Sequence, residues 1–280
     1  MKFCLIGYPL GHSMSPFIHM QLAHLSGADL SYENIEIAPA DLTSLDLFHA
    51  YDGLNVTIPH KTAVIPFLKE LHGKAKILKT VNTIKKENDA WIGYNTDCDG
   101  FLHALKIADI ALAGRVLLCG SGGTARMMGY LAAGNSCDIT ISVRAGSTAR
   151  GEKLKSEINA VYPKVKIRVC EREQIDSNET FDLLLNGTPA GMYPKNMEQT
   201  PVPANIIQNC SAVFDAVYNP METLLLKTAK QNGAKTAMGM PMLVYQAAKA
   251  QQIWYGATFG AKELDDLVIQ TNEELQRRFS

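Results

Sequence analysis

The chain has little of what marks a specialised environment. Its 280 residues carry 27 Lys and Arg against 28 Asp and Glu, a formal net charge of −1. With no basic excess, nothing points to nucleic acid or to an anionic membrane, and any bound anion must be met by local groups. No run approaches the ~20 apolar residues of a membrane span. The first ten residues are apolar but interrupted at Gly7 and Pro9, short of the about 7–15 apolar residues of a signal-peptide core. They read as a strand. The six cysteines form no C-x-x-C pair, and several lie in apolar runs, as reduced core thiols do. A cytoplasmic location is the expectation. No histidine follows His103, and the seven histidines give neither H-x-x-x-H nor H-E-x-x-H, so no metal site is expected.

What is present is alternation. The length suits two domains. In the first hundred residues, apolar runs at 3–6, 32–37 and 54–58 read as strands. Ser15-Pro16 opens a helix that Gly27 stops, with Ser15 as N-cap. Residues 42–48 read as a second helix, and Pro59 starts a third toward residue 71. Runs at 81–85 and 91–94 flank Asn88-Asp89, a hairpin signal. Asp97 then caps a helix to about residue 108, a candidate hinge between domains. A second unit begins near Leu112, with strands at 116–119, 138–143, 165–169, 183–185, 213–214 and 235–237. Helices are expected after the first of these, at 150–160 and at 221–231. Residues 241–280 read as helical with a break at 256–260. Strands alternating with helices imply an α/β fold with largely parallel sheets.

Gly120-x-Gly122-Gly123-x-x-Arg126 directly follows an apolar strand and opens a helix. Glycines there let the backbone turn tightly and approach a pyrophosphate, while the helix N-terminus offers unpaired N–H donors. The next strand ends Ser142-Val143-Arg144. It lacks the carboxylate that an NAD site places about 20 residues after the glycines. Arg144, with Arg150 beyond it, suits a 2′-phosphate instead. NADP is therefore favoured, with NAD the alternative.

Four polar segments adjoin apolar strands in the first domain: Ser13-x-Ser15-Pro16, Asn55-Val56-Thr57-x-Pro59-x-Lys61, Val81-Asn82-Thr83 and Asn95-Thr96-Asp97. Open α/β sheets bind ligands beyond their strand ends. Singly, each has an ordinary reading as cap, turn residue or solvated charge. Lys61, read as lying in the first turn of a helix where the dipole disfavours cations, suggests an anionic partner, and Asp97 is the candidate.

Taken in order, these segments resemble the shikimate dehydrogenase family. The likeness runs through Gly11-His12-Ser13-Met14-Ser15-Pro16, Asn55 to Lys61, Val81-Asn82-Thr83, Asn95-Thr96-Asp97 with Gly100, and Gly120-Ser121-Gly122-Gly123. It continues in Asn186-Gly187-Thr188 with Gly191-Met192, Asp215 with Val217-Tyr218-Asn219-Pro220, and Gly239 with Met242-Leu243-Val244 and Gln246-Ala247-Ala248.

The resemblance implies a mixed-sheet α/β substrate domain (1–104), a Rossmann-like doubly wound NADP-binding domain (105–240), and C-terminal helices (241–280) that pack back on the first domain. It implies reversible NADPH-dependent reduction of 3-dehydroshikimate to shikimate, in aromatic amino-acid (chorismate) biosynthesis, by a monomer or homodimer. By that likeness Lys61 and Asp97 are the catalytic pair. Ser13, Ser15 and Thr57, with Tyr218, would hold the substrate carboxylate, and Asn82, Asp97 and Gln246 would bond the ring hydroxyls. Gly120, Ser121, Gly122, Gly123, Thr124, Ala125, Arg144 and Arg150 would take the nucleotide. Asn186, Thr188, Ala216, Tyr218 and Gly239 would line the nicotinamide side. Closure of the two domains would accompany turnover.

The chain departs from the family pattern at His60, expected to affect proton exchange beside Lys61, and at Lys79-Thr80. It departs also at Cys98, which would make the site thiol-sensitive, and at Val143-Arg144-Ala145, with an apparent insertion near Gly146-Ser147. The alternatives are a broader quinate/shikimate dehydrogenase using NAD and a non-catalytic sensor of a shikimate-like ligand. Retention of both Lys61 and Asp97 argues against the sensor.

Overall fold

In this computed structural model residues 1–11 and 13–279 are described, Leu47 by its backbone alone; His12, part of the serine motif, lies outside them. The chain forms two compact units, residues 1–100 with 243–280, and residues 101–242.

The first unit contains β1 (Lys2–Gly7), α1 (Ser15–Ser26), β2 (Ser31–Glu36), β3 (Gly53–Val56), β4 (Glu70–Leu71), α2 (Lys74–Leu78), β5 (Thr83–Glu87) and β6 (Ala90–Tyr94). Its six strands run in the order β2-β1-β3-β5-β6-β4. β1 pairs parallel with both β2 and β3, whereas β5 is antiparallel to β3 and β6. Asn88 and Asp89 join β5 to β6 with φ of 47° and 60°. Positive φ at both central residues gives the turn the twist that matches paired strands. This topology sends the C-terminal ends of β1, β3 and β6, and the N-terminal end of β5, to one edge of the sheet. All four polar segments lie there.

α3 (Asp97–Ile107) leads into the second unit. There follow β7 (Arg115–Cys119), α4 (Gly123–Gly134), β8 (Asp138–Val143), α5 (Thr148–Val161), β9 (Ile167–Glu171), β10 (Leu183–Asn186), α6 (Ala204–Ile207), β11 (Ala212–Asp215), α7 (Leu224–Gln231) and β12 (Lys235–Ala237). The sheet order β12-β11-β10-β7-β8-β9 is parallel throughout. That is the doubly wound nucleotide-binding order, with its reversal between β7 and β10. Val116, Leu117 and Leu118 are wholly buried, the near-continuous apolar run of a strand covered on both faces.

The last two helices, α8 (Gly239–Tyr255) and α9 (Ala261–Phe279), bring the chain back to the first unit. Trp254 of α8 stacks on Phe3 at 4.2 Å and donates its indole N–H to the Ile84 carbonyl at 2.9 Å. Gly53 leaves room for it, since a methyl there would stand 2.5 Å from the indole nitrogen.

Two expected helices do not form. Residues 42–48 yield only a 3-10 turn at Asp46–Phe48. The Ser44 hydroxyl accepts the Asp46 N–H at 3.2 Å, a local side-chain bond that competes with helix. Residues 59–71 form irregular turns, a 3-10 turn at Ile65–Phe67 containing Pro66, and the short β4. Lys61 therefore feels no helix dipole, and its place has another cause, given below. α2, five residues long, is too short for periodicity to reveal. At α1 the N-cap is Met14, not Ser15, with no side-chain cap; the Ser15 N–H instead donates to the Ser13 hydroxyl at 3.3 Å.

Candidate functional site

In the first unit, ladder hydrogen bonds set each segment at the sheet edge. The Thr57 N–H extends the β1–β3 pairing by donating to the Ile6 carbonyl at 2.9 Å, and the Tyr8 N–H donates to the Ile58 carbonyl at 3.0 Å. These bonds tie the start of the loop that leads from β1 to the serine segment to the chain at Thr57 and Ile58. The Lys61 carbonyl accepts the Val81 N–H at 2.8 Å, tying the turn that carries the lysine to the residue before Asn82. On this frame the Lys61 Nζ donates to Asp97 Oδ2 at 2.6 Å. The lysine and aspartate side chains keep 29% and 19% of their surface, so the pair faces solvent without being dispersed in it. Asp97 is the cation's partner and the reason for its position.

Asn82 organises the carboxylate. Its Oδ1 accepts the Thr96 backbone N–H at 2.7 Å, which fixes the amide's orientation. Nδ2 therefore faces Asp97 Oδ1 at 2.9 Å, Thr96 Oγ1 at 3.0 Å and Gln246 Oε1 at 3.3 Å. Gln246 donates backward to the Leu243 carbonyl at 2.9 Å, which orients its oxygen toward Asn82. Thr83 and Thr96 complete this buried cluster. Sequence reading singled out Asn82, Asp97 and Gln246 but missed the two hydroxyls that bind them together. No local pattern marks a threonine as a hydrogen-bond junction.

Two expected effects of neighbouring residues are corrected. His60 is buried and donates Nε2–H to the Ile37 carbonyl at 2.7 Å. It pins the turn to the loop after β2 and is not at a mouth where protons exchange. Cys98 is fully buried, and burial pushes its thiol pKa up. A thiol held protonated and away from solvent is not a reactive one.

In the second unit, Gly120 ends β7 with φ 100°. Its N–H donates to the Ser142 carbonyl at 2.8 Å. Gly122 caps α4 in extended backbone, φ −79° and ψ −176°. A methyl built on Gly122 or Gly123 meets nothing within 4 Å. The loop thus presents open space ahead of the first turn of α4, formed by Gly123, Thr124 and Ala125, with Ser121 alongside. Gly187, beyond β10, packs directly on Ala125: a methyl there would stand 2.7 Å from the Ala125 nitrogen. The two chain segments meet where the strand order reverses, the position at which such sheets take ligands. The open glycines and unpaired N–H groups fit a dinucleotide's phosphates.

Asn186 donates to Asp215 Oδ1 at 2.8 Å and accepts from the Thr188 N–H and hydroxyl at 3.0 and 2.7 Å. Asp215 also accepts the Val217 N–H at 3.0 Å and the Thr223 hydroxyl at 2.6 Å. Despite these donors, burial pushes its pKa up to about 6. This carboxylate sets both the Asn186–Thr188 turn and the segment holding Ala216 and Tyr218. A methyl on Gly239 would meet the Ala216 carbonyl at 2.5 Å, so that glycine closes the same cluster. Burial raises the Tyr218 phenol pKa.

Arg144 follows β8 directly and Arg150 lies in the first turn of α5, both exposed. Arg126 is spent on Glu157 and on the Tyr130 hydroxyl. An acid that sequence spacing did not find stands beside Arg144: Glu171, opposite Val143 on β9, accepts the Gly146 N–H at 2.9 Å and the Thr148 hydroxyl at 3.2 Å. It comes from the neighbouring strand, and only sheet register reveals it.

Among the described residues, no helix is long and apolar enough to cross a membrane. Residues 5–84 match the family model described as the shikimate dehydrogenase substrate binding domain. The shikimate dehydrogenase (NADP(+)) of Shouchella clausii is 35% identical over 274 residues, 95% of this chain and 97% of that protein. Among solved structures, the shikimate 5-dehydrogenase of Thermus thermophilus, in complex with NADP(H) and shikimate, superposes with a TM-score of 0.82. It is 28% identical over 97% of this chain and 99% of its own. The quinate dehydrogenase of Corynebacterium glutamicum, in complex with NAD, gives a TM-score of 0.84 at 26% identity, over 96% of this chain and 99% of its own. With 35% identity to the Shouchella enzyme across nearly its whole length, the chain belongs to the shikimate dehydrogenase family.

Proposed function

We propose that this protein catalyses the reversible NADPH-dependent reduction of 3-dehydroshikimate to shikimate, a step of aromatic amino-acid biosynthesis. The observation that carries the reading is the Lys61–Asp97 contact, held by Asn82 at the edge where the polar segments converge. NADPH, when bound, supplies the hydride. The chain's own part is to bind the polyol, place its carbonyl and move one proton. Lys61 donates a proton to the alkoxide that develops at C3, and in the oxidative direction takes it back. Asp97 orients the ammonium and accepts from the reacting hydroxyl. Ser13, Ser15 and Thr57 offer hydroxyl donors to the substrate carboxylate, with Tyr218 as a further candidate. Gln246 and Asn82 stand where ring hydroxyls would be read. A site with this many fixed partners rejects isomers that leave one unpaired.

Gly120, Ser121, Gly122, Gly123, Thr124 and Ala125 would hold the pyrophosphate. Asn186, Thr188, Ala216, Tyr218 and Gly239 would line the nicotinamide. Arg144 and Arg150 stand exposed beyond the end of β8 and support NADP over NAD, with Glu171 turned to the Gly146 N–H and the Thr148 hydroxyl of the same loop.

The test follows absorbance of the reduced cofactor with shikimate or quinate and with NADP or NAD. The reading expects shikimate with NADP to give the highest kcat/KM. Dominant turnover of quinate with NAD replaces it by the broader quinate/shikimate reading, and binding of shikimate without turnover favours a ligand sensor.

A further inference from the structure

An acid on β9 holds the loop that carries Arg144. The Gly120 N–H donates to the Ser142 carbonyl at 2.8 Å, and Cys119 pairs with Ser142 in the β7–β8 ladder. Arg144, two positions on, therefore leaves the sheet beside the glycine loop. The chain then turns sharply. The Ser147 N–H donates to the Arg144 carbonyl at 3.0 Å, and Gly146, third of these four residues, takes φ 73°. A positive φ at that position of a turn favours glycine. α5 begins at once with Thr148.

Glu171 clamps this turn from the neighbouring strand, where it stands opposite Val143. Its Oε1 accepts the Gly146 N–H at 2.9 Å and the Thr148 hydroxyl at 3.2 Å. Glu171 is itself fixed. Its side chain accepts the Gln174 backbone N–H, and its own N–H donates to Gln174 Oε1 at 3.0 Å. α5 lies close on the same strand, since a methyl on Gly151 would stand 2.6 Å from Val169 Cγ1. In NAD-binding folds an acid near the ribose accepts from its 2′-hydroxyl. Here the two lone pairs of Oε1 meet a backbone N–H and a hydroxyl of the chain itself. The carboxylate therefore serves the loop, and these two bonds use neither Arg144 nor Arg150.

We propose that Glu171 is a positioning residue for cofactor choice: by holding Gly146 and Thr148 it keeps the turn in the form that places Arg144 for the adenosine 2′-phosphate of NADP. The inference rests on the NADP reading given above and is independent of which polyol is the substrate.

The experiment titrates the full chain with adenosine 2′,5′-bisphosphate and with AMP, which differ only in the 2′-phosphate, and measures the KM for NADP, NAD and shikimate. Native protein is compared with Glu171→Ala, Glu171→Gln, Arg144→Ala and the Glu171→Ala/Arg144→Ala double variant. Glu171→Ala should weaken bisphosphate binding and raise the NADP KM about fivefold to tenfold, the scale of one lost hydrogen bond. AMP binding and the KM for NAD and for shikimate should stay native. Glu171→Gln keeps an acceptor oxygen for both donors and should bind the bisphosphate within about twofold of native. The double variant should be no worse than Arg144→Ala, since both changes act through one guanidinium. Should Glu171→Ala prove unstable, Thr148→Val removes one donor while keeping the side chain's shape, and should weaken the bisphosphate alone by about twofold to threefold. Native bisphosphate binding in Glu171→Ala, or in Thr148→Val where that variant stands in for it, overturns this inference. Equal losses of bisphosphate and AMP, tighter bisphosphate binding in both Glu171 variants, or additive losses in the double variant overturn it too. Each of these leaves the proposed reaction standing. Native protein that binds the bisphosphate no better than AMP overturns the NADP reading and this inference together.

Discussion

Two glycines of the second unit look alike in sequence and should behave oppositely when changed to alanine. At Gly187 a methyl would lie 2.7 Å from the Ala125 nitrogen and 2.8 Å from its Cα. These are backbone atoms in the first turn of α4 and cannot rotate aside. Relief requires that helix end or the Asn186–Thr188 turn to move by roughly 0.7 Å to reach ordinary contact, an overpacking cost of about 1–3 kcal/mol. That corresponds to a fall in Tm of about 2–4 °C per kcal/mol for units of this size. At Gly122 the methyl meets no atom within 4 Å, and φ of −79° suits any residue. Gly122→Ala should leave the Tm within about 1 °C, given that surface changes without a named strain are near neutral. If phosphates lie against that glycine, however, the methyl intrudes on them and the NADP KM should rise by about tenfold or more. Shikimate binding, measured by calorimetry without nucleotide, should be unaffected in both variants. Scanning calorimetry and initial rates at varied NADP decide the matter. A Gly122→Ala protein with native NADP KM would refute the phosphate cradle, and a Gly187→Ala protein with native Tm would refute the packing argument.

Three further outcomes follow from the geometry. Lys61→Ala should lower kcat by about 10²–10⁴-fold, as loss of a general acid does, with the shikimate KM less affected; near-normal turnover removes Lys61 from the mechanism. Arg144→Ala should raise the NADP KM about tenfold or more, the scale of a charge-assisted contact, while leaving the NAD KM unchanged; equal effects on both cofactors deny it the 2′-phosphate. Asp215 has a folded pKa of about 6 against an ordinary 3.8. Between those values the folded chain binds more protons than the unfolded one. Its contribution is therefore full below about pH 4 and is lost as pH rises through about 6, roughly 3 kcal/mol in all. Asp215→Asn removes that titration, so its Tm relative to native should climb from about pH 4.5 to about pH 7. A difference that is flat over this window contradicts the raised value.

The fold was legible wherever local burial writes a period. The run Val116-Leu117-Leu118-Cys119 announces a parallel strand covered on both faces, and Asn88-Asp89 announces a hairpin because both residues tolerate positive φ. The stretches at 42–48 and 59–71 were not legible as they are. In the first, Ser44 diverts a helical N–H; in the second, Pro59 and Pro66 interrupt any continuous ladder.

The sequence by itself determined the chemistry available: a lysine and an aspartate, hydroxyl and amide donors next to apolar strands, glycines opening a helix, and arginine where an acid would select NAD. Tertiary structure alone decided which of these meet. Lys61 reaches Asp97 across 36 positions and Asn82 reaches Gln246 across 164. Both contacts depend on strand order and on a chain that returns to its first unit. Register likewise brings Glu171 to the loop after β8, turns His60 inward to Ile37, and separates a glycine that makes room for Ala125 from one that leaves room ahead of a helix. Residue type and spacing report what each position can do; hydrogen-bond partners far apart in the chain are set only when the sheets close.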